Sequence, residues 1–147
     1  MKYPYLCYMG RIMAIDYGTK RVGIAVTDPN QLIANGLTTI HAKDLVSFIQ
    51  QYLQSETLDC IVIGEPKRMN NDPSDVEVYI QQFIKHLSRV IPNLLVKRMD
   101  ERFTSKIAFQ SMIDGGLKKK ARQDKGTVDM VSATLILQSY MEINPKI

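Results

Sequence analysis

Tryptophan is absent from the 147 residues and cysteine occurs only twice, at Cys7 and Cys60. The two cysteines lie in unlike surroundings and form no Cys-x-x-Cys or Cys/His spacing, so neither a disulfide framework nor a zinc site is indicated. Cys60, inside an apolar run, reads as a small core residue. No apolar run approaches the roughly 18 residues that a membrane helix needs, and no N-terminal stretch joins a basic head to an unbroken apolar segment and a small-residue cleavage site. Linkers rich in Pro, Gly and Ser, internal repeats and low-complexity tracts are also missing. With 45% hydrophobic and 23% charged residues, the composition excludes disorder and collagen. The expectation is one globular domain over residues 1–147, cytoplasmic and without a membrane partner.

A formal net charge of +4 is mild, but its distribution is uneven. Between residues 115 and 125, Lys118, Lys119, Lys120, Arg122 and Lys125 stand against Asp124 alone, so this short segment carries the whole excess. A basic loop on a neutral body is a footprint for a polyanion, because each phosphate neutralised releases condensed counterions. A lysine run on its own is more often the mark of a solvated loop. What stands beside it decides between the two.

Residues 11–17 and 21–27, rich in Ile, Val and Ala, predict two strands joined by a tight turn through Gly18. A third strand is expected over 37–40. Over 43–55 the positions Leu45, Phe48, Ile49, Tyr52 and Leu53 recur at helical spacing. The run 58–64 is almost wholly apolar, as for a strand buried on both faces. Ser74 and Glu77 have the spacing of a capping box, which predicts a helix to residue 90 with Val78, Ile80, Phe83, Ile84 and Leu87 on its core face. Pro92 breaks the chain before another strand over 94–99. Thr104 can cap a helix carrying Ile107, Ala108, Met112 and Ile113, stopped by Gly115 and Gly116. A last helix is expected over 127–141, with Val128, Val131, Leu135 and Tyr140 among its apolar residues. The order predicts an α/β domain, a mixed sheet with helices on both faces.

Three carboxylates occupy positions that packing alone does not favour. Asp16 ends the first strand, Glu101 ends a later one, and Asp129 falls in the first turn of the last helix. Ligands of α/β sheets gather beyond the carboxyl ends of strands, so these acids can converge. Converging carboxylates repel one another and need compensation, which a hard divalent cation such as Mg²⁺ supplies. Two such ions can clamp the oxygens of an in-line phosphoryl transfer. Lys125 and Arg102 can hold the scissile phosphate. Each acid also has a plain structural reading: Asp16 as a turn acceptor, Asp129 as an acid offsetting the helix dipole, Glu101 as half of a surface ion pair with Arg102. Asp100 points to the opposite face if strand geometry persists. His41 and His86 have no evident partner, and neither a Ser/His/Asp triad nor a Walker phosphate loop is present.

At these residues the sequence resembles the YqgF/RuvX family of pre-16S ribosomal RNA nucleases, also described as Holliday junction resolvase-like. The segment 15–25, with Asp16 followed by Gly18, Arg21 and Gly23, resembles the family's first motif. Residues 61–64 with Pro66 resemble the second, residues 100–105 the third, and residues 125–137, with Lys125, Gly126, Asp129, Ala133 and Leu137, the fourth. The resemblance runs from about residue 11 to residue 141. It implies a ribonuclease H-like fold with a central mixed five-stranded sheet, and a nuclease using Mg²⁺ or Mn²⁺ held by Asp16, Glu101 and Asp129. Arg21, Arg102, Lys118, Lys119, Lys120, Arg122 and Lys125 are then the phosphate-binding set. The implied role is maturation of the 5′ end of 16S ribosomal RNA, with nucleic acid as partner: pre-rRNA first, branched DNA as the alternative. Two departures stand out. Glu65 replaces an apolar residue and is a secondary candidate ligand, and Lys67 and Arg68 make its loop basic. Residues 1–8 precede the region of resemblance, so either Met9 is the start or Tyr3, Tyr5 and Tyr8 belong to an extension.

The competing readings make different demands. A junction resolvase cuts two strands symmetrically and calls for a two-fold dimer, whereas a trimming nuclease can be monomer or homodimer. A non-catalytic assembly factor uses the basic loop and not the acids, so its binding depends on salt and little on metal. An actin- or sugar-kinase-like ATPase needs a second domain, for which 147 residues leave no room.

Overall fold

Side chains alternate across a strand, so each strand here has to satisfy two apolar layers at once. A computed structural model describes residues 10–66, 75–100 and 124–144. Along the chain run β1 (Arg11–Tyr17), β2 (Arg21–Thr27), β3 (Ala34–His41), a 3-10 turn (Ala42–Asp44), α1 (Leu45–Ser55), β4 (Leu58–Glu65), α2 (Glu77–Val90), β5 (Leu95–Asp100) and α3 (Lys125–Ile143). The sheet has five strands in the order β3-β2-β1-β4-β5. β1, β2 and β3 are antiparallel, whereas β4 and β5 run parallel to β1.

Met13 and Ile15 of β1, Val22 and Ile24 of β2, and Ile61 and Ile63 of β4 pack on one face with Leu45 and Ile49 of α1 and with Ile80, Phe83 and Leu87 of α2. Ile12 and Ala14, Ala25, and Cys60 and Val62 form the other face, under Ala133, Ile136, Leu137 and Tyr140 of α3. The mixed sheet and the covering of both faces are as the sequence predicts. Cys60 is buried in the α3 layer. Among the described residues, no helix is long and apolar enough to cross a membrane.

The structure corrects several local expectations. β3 begins three residues earlier than predicted, because pairing with β2 recruits Asn35 and Gly36 into the ladder. The register shifts there, leaving Leu37 as an extra residue between Gly36 and Thr38. His41 does have a partner: its Nδ1 accepts from the Lys43 N–H at 3.1 Å and caps the 3-10 turn.

The capping box predicted at Ser74 and Glu77 turns on Ser74, which lies outside the described residues; Val76 sits at the N-cap of α2 without a side-chain cap. The Glu77 carboxylate takes both terminal nitrogens of Arg98 on β5, each at 2.9 Å. A forked pair of this kind is stronger than a neutral cap, and these side chains are only 16% and 20% exposed. Arg98 also donates to the carbonyls of Ile63 and Gly64, so one guanidinium ties α2, β4 and β5 together. On α2, Val78 is exposed rather than in the core.

α3 starts at Lys125, not at residue 127, because Asp124 caps it: Oδ1 accepts from the Gly126 N–H, and Thr127 Oγ1 donates to Oδ2, both at 3.0 Å. Its buried stripe is Ser132, Ala133, Ile136, Leu137 and Tyr140; Val128, Val131 and Leu135 are half-buried. The helix predicted after Thr104, its stop at Gly115 and Gly116, the loop basic residues Lys67 and Arg68, and the extension 1–8 all lie outside the described residues.

Candidate functional site

Asp16 sits one residue from the end of β1 and, by alternation with Ile12 and Ala14, faces the α3 side of the sheet. Across the hairpin its partner is Gly23 on β2. Glycine there has a definite cause. A Cβ on Gly23 would lie 2.0 Å from the Asp129 carbonyl oxygen and 2.9 Å from the Met130 nitrogen, so the backbone of α3 rests directly on the strand. Asp16 and Asp129 are thereby made neighbours by one close approach of helix to sheet.

Further contacts fix the start of α3. Thr39 Oγ1 on β3 donates to the Gly126 carbonyl at 2.6 Å, and Met130 lies over Gly36. Small residues on both sides, Ala14, Gly23, Ala25 and Gly36 below and Ser132 and Ala133 above, leave the thin gap this seating requires. Beside it opens a cleft of about 350 Å³ lined by Asp16, the hairpin turn 17–20, Arg21, Lys125 and Asp129.

The electrostatics are unbalanced in a particular way. Burial, and then the charge of Asp129, push the Asp16 carboxyl up from 3.8 to about 7. Its carboxylate has no hydrogen-bond or ion-pair partner among the described residues. Asp129 is also pushed up by burial, but Arg21 opposes this, its Nε lying 3.1 Å from Asp129 Oδ2. The two carboxyls are therefore coupled: Arg21 favours the charge on Asp129, and that charge resists loss of the proton from Asp16.

The site thus brings together Asp16, Asp129, Arg21 and Lys125 of the predicted set. Glu101, Arg102, Lys118, Lys119, Lys120 and Arg122 lie outside the described residues. Asp129 is the fifth residue of α3, beyond its first turn, so the helix dipole is not what favours its charge; Asp124 occupies the dipole position. Glu65 shares its face with Ile61 and Ile63, opposite to Asp16, and pairs in register with Asp100 on β5. Among the described residues no group of three or more His, Cys, Asp or Glu surrounds a point suited to a metal. Sequence reasoning missed Lys20 and Thr19, which line the cleft, and the seating role of Gly23. The signal for Gly23 was present: a three-residue turn after Tyr17 puts it opposite Asp16.

A larger groove, about 630 Å³, lies at the other end of β1 against Ile12, Leu32, Ile33 and Met141; Glu142 is its one acidic lining residue. It gathers no chemistry comparable with the cleft.

Two carboxylates, one of them half-buried and without a partner among the described residues, suit a hard divalent ion, which prefers oxygen donors and relieves their repulsion. That donor set is what the cleft offers.

A protein from Christiangramia forsetii named "Putative pre-16S rRNA nuclease" is 53% identical over 133 residues, covering 90% of this chain and 98% of its own. A protein of the same name from Phocaeicola vulgatus is 54% identical over 134 residues, covering 91% and 96%. Among solved structures, Thermus thermophilus RuvC in complex with a Holliday junction substrate superposes with a TM-score of 0.56 at 11% identity, covering 92% of this chain and 97% of that one. The fold is therefore ribonuclease H-like. The sequence model described as "RuvX: Holliday junction resolvase" matches residues 10–143, and the chain belongs to the RuvX family.

Proposed function

We propose that this protein is a metal-dependent nuclease that hydrolyses phosphodiester bonds in maturing the 5′ end of pre-16S ribosomal RNA, and that it works in the cytoplasm. The observation that carries this reading is the seating of α3 on Gly23, which sets Asp129 beside the carboxylate of Asp16 in an open polar cleft. The names of relatives above half identity over nearly their whole length support the substrate.

In this reading Asp16 and Asp129 hold Mg²⁺ or Mn²⁺, with Glu101 as the third acid. Such an ion, when bound, supplies a Lewis acid for a phosphoryl oxygen and lowers the pKa of water. The chain's own residues do the rest. Asp16, whose proton is held by burial and by the charge of Asp129, would be a carboxylate ligand of such an ion. Lys125 opens α3 at the cleft wall and offers an ammonium to a phosphate oxygen. Arg21 lines the same cleft, and this reading assigns Arg102, Lys118, Lys119, Lys120 and Arg122, which lie outside the described residues, to substrate phosphates as well.

The test is cleavage of a 5′-extended 16S precursor fragment by purified protein, with a four-way DNA junction in parallel. Cleavage of the RNA in Mg²⁺ or Mn²⁺, abolished by EDTA, is the expected result. Cleavage of the junction alone would transfer the assignment to branched DNA. Salt-sensitive RNA binding without any cleavage would replace the enzyme with a binding factor.

A further inference from the structure

The charge balance of the cleft is closed by a residue that a phosphate-binding role alone does not explain. Arg21 opens β2 and, alternating with Gly23 and Ala25, faces the α3 side. Its side chain is 43% exposed, yet its Nε is committed to Asp129 Oδ2 at 3.1 Å. Asp129 is one of the two carboxylates the proposed function gives to the cation. Asp16, the other, has no such counter-charge among the described residues.

We infer that Arg21 is the resident counter-cation of Asp129 and competes with the divalent ion for its carboxylate. The inference rests on the nuclease reading, because it requires an ion at these carboxylates. Two cations cannot share one carboxylate edge without repulsion, so entry of the ion moves the guanidinium off Oδ2. Its exposure and its place on the cleft wall leave the phosphate of the substrate as the next partner. Arg21 is thus a positioning residue in the free protein and a phosphate ligand in the complex. The exchange couples the two events: substrate gives Arg21 a second anion, which lowers the cost of releasing Asp129 to the ion. By linkage, substrate and ion then tighten each other's binding.

The measurement is Mn²⁺ binding to the full chain followed by electron paramagnetic resonance, without nucleic acid, for wild type, Arg21→Gln, Arg21→Lys and Asp16→Asn. Arg21→Gln keeps a hydrogen-bond donor but removes the charge. Competition predicts that it binds Mn²⁺ about tenfold more tightly than wild type, within the usual span of coupling between sites. Its KM for the RNA rises by a similar factor, while Arg21→Lys lies between the two. A residue that only shapes the site would, when lost, weaken metal and substrate together. If wild type binds Mn²⁺ and Asp16→Asn does not, but Arg21→Gln binds equally or less well, the competition is wrong and the nuclease reading stands. If wild type and Asp16→Asn bind Mn²⁺ equally poorly, the metal site falls and the competition falls with it.

Discussion

Asp16→Asn is expected to lower cleavage of the precursor RNA by at least 10²–10³-fold, the order seen when one preorganised stabilising group is removed from an active site. The same substitution should make the metal-free protein more stable at neutral pH, so lost activity cannot be blamed on misfolding. The reason is the direction of the Asp16 shift. Its carboxyl rises from 3.8 to about 7 on folding, through burial and the charge of Asp129. Between those values the folded state keeps a proton that the unfolded chain has released, so unfolding becomes easier as pH rises. The stabilising contribution is complete below about pH 4 and is lost as pH climbs through 7. Asparagine removes the titration. At 1.36 kcal/mol per unit, and allowing for partial exposure, the gain near pH 7.5 is on the order of 2 kcal/mol. For a chain of this size that raises the melting temperature by about 5 °C. Melts in EDTA from pH 4 to 8 check this; a wild-type curve parallel to that of Asp16→Asn across the range would contradict it.

Gly23→Ala should be nearly as damaging, although the residue carries no functional group. The new Cβ would meet the Asp129 carbonyl oxygen at 2.0 Å and its carbonyl carbon at 2.3 Å, which are backbone atoms that cannot turn aside. α3 must lift from the sheet, taking Asp129 with it. Overpacking of this type costs about 1–3 kcal/mol, and a displacement of about 1 Å in a catalytic group costs on the order of 10²-fold in rate. Gly36→Ala is the control. Its Cβ would meet Met130 Cγ at 2.8 Å, and a flexible thioether side chain can move. Activity should therefore survive at Gly36 and fail at Gly23, measured on folded protein by single-turnover cleavage and thermal melting. Equal behaviour of the two variants would mean that the seating of α3 does not govern the site.

How much of this was legible in the sequence depends on how local each cause is. The β1–β2 hairpin was readable because alternation and the Gly18 turn both lie within it. Asp16 was readable because a charge interrupts an apolar run at a strand end. The Glu77–Arg98 pair was not readable, since Arg98 lies 21 residues away on another element and no local pattern joins the two. The buried stripe of α3, through Ser132, Ala133, Ile136, Leu137 and Tyr140, was not legible, because the apolar residues of that helix are spread around it and periodicity alone selects no face. Asp124 and Thr127 both had cap chemistry; the aspartate prevailed, and the start of α3 moved two residues toward the N-terminus.

Anomalous diffraction from crystals of the full chain soaked in Mn²⁺ puts the account to its most direct trial. One peak within coordination distance of carboxylate oxygens from both Asp16 and Asp129 is the predicted outcome, with Arg21 withdrawn from Oδ2. Manganese bound elsewhere, with these two carboxylates turned apart and Arg21 still on Asp129, would contradict the shared-cation site on which the nuclease assignment stands.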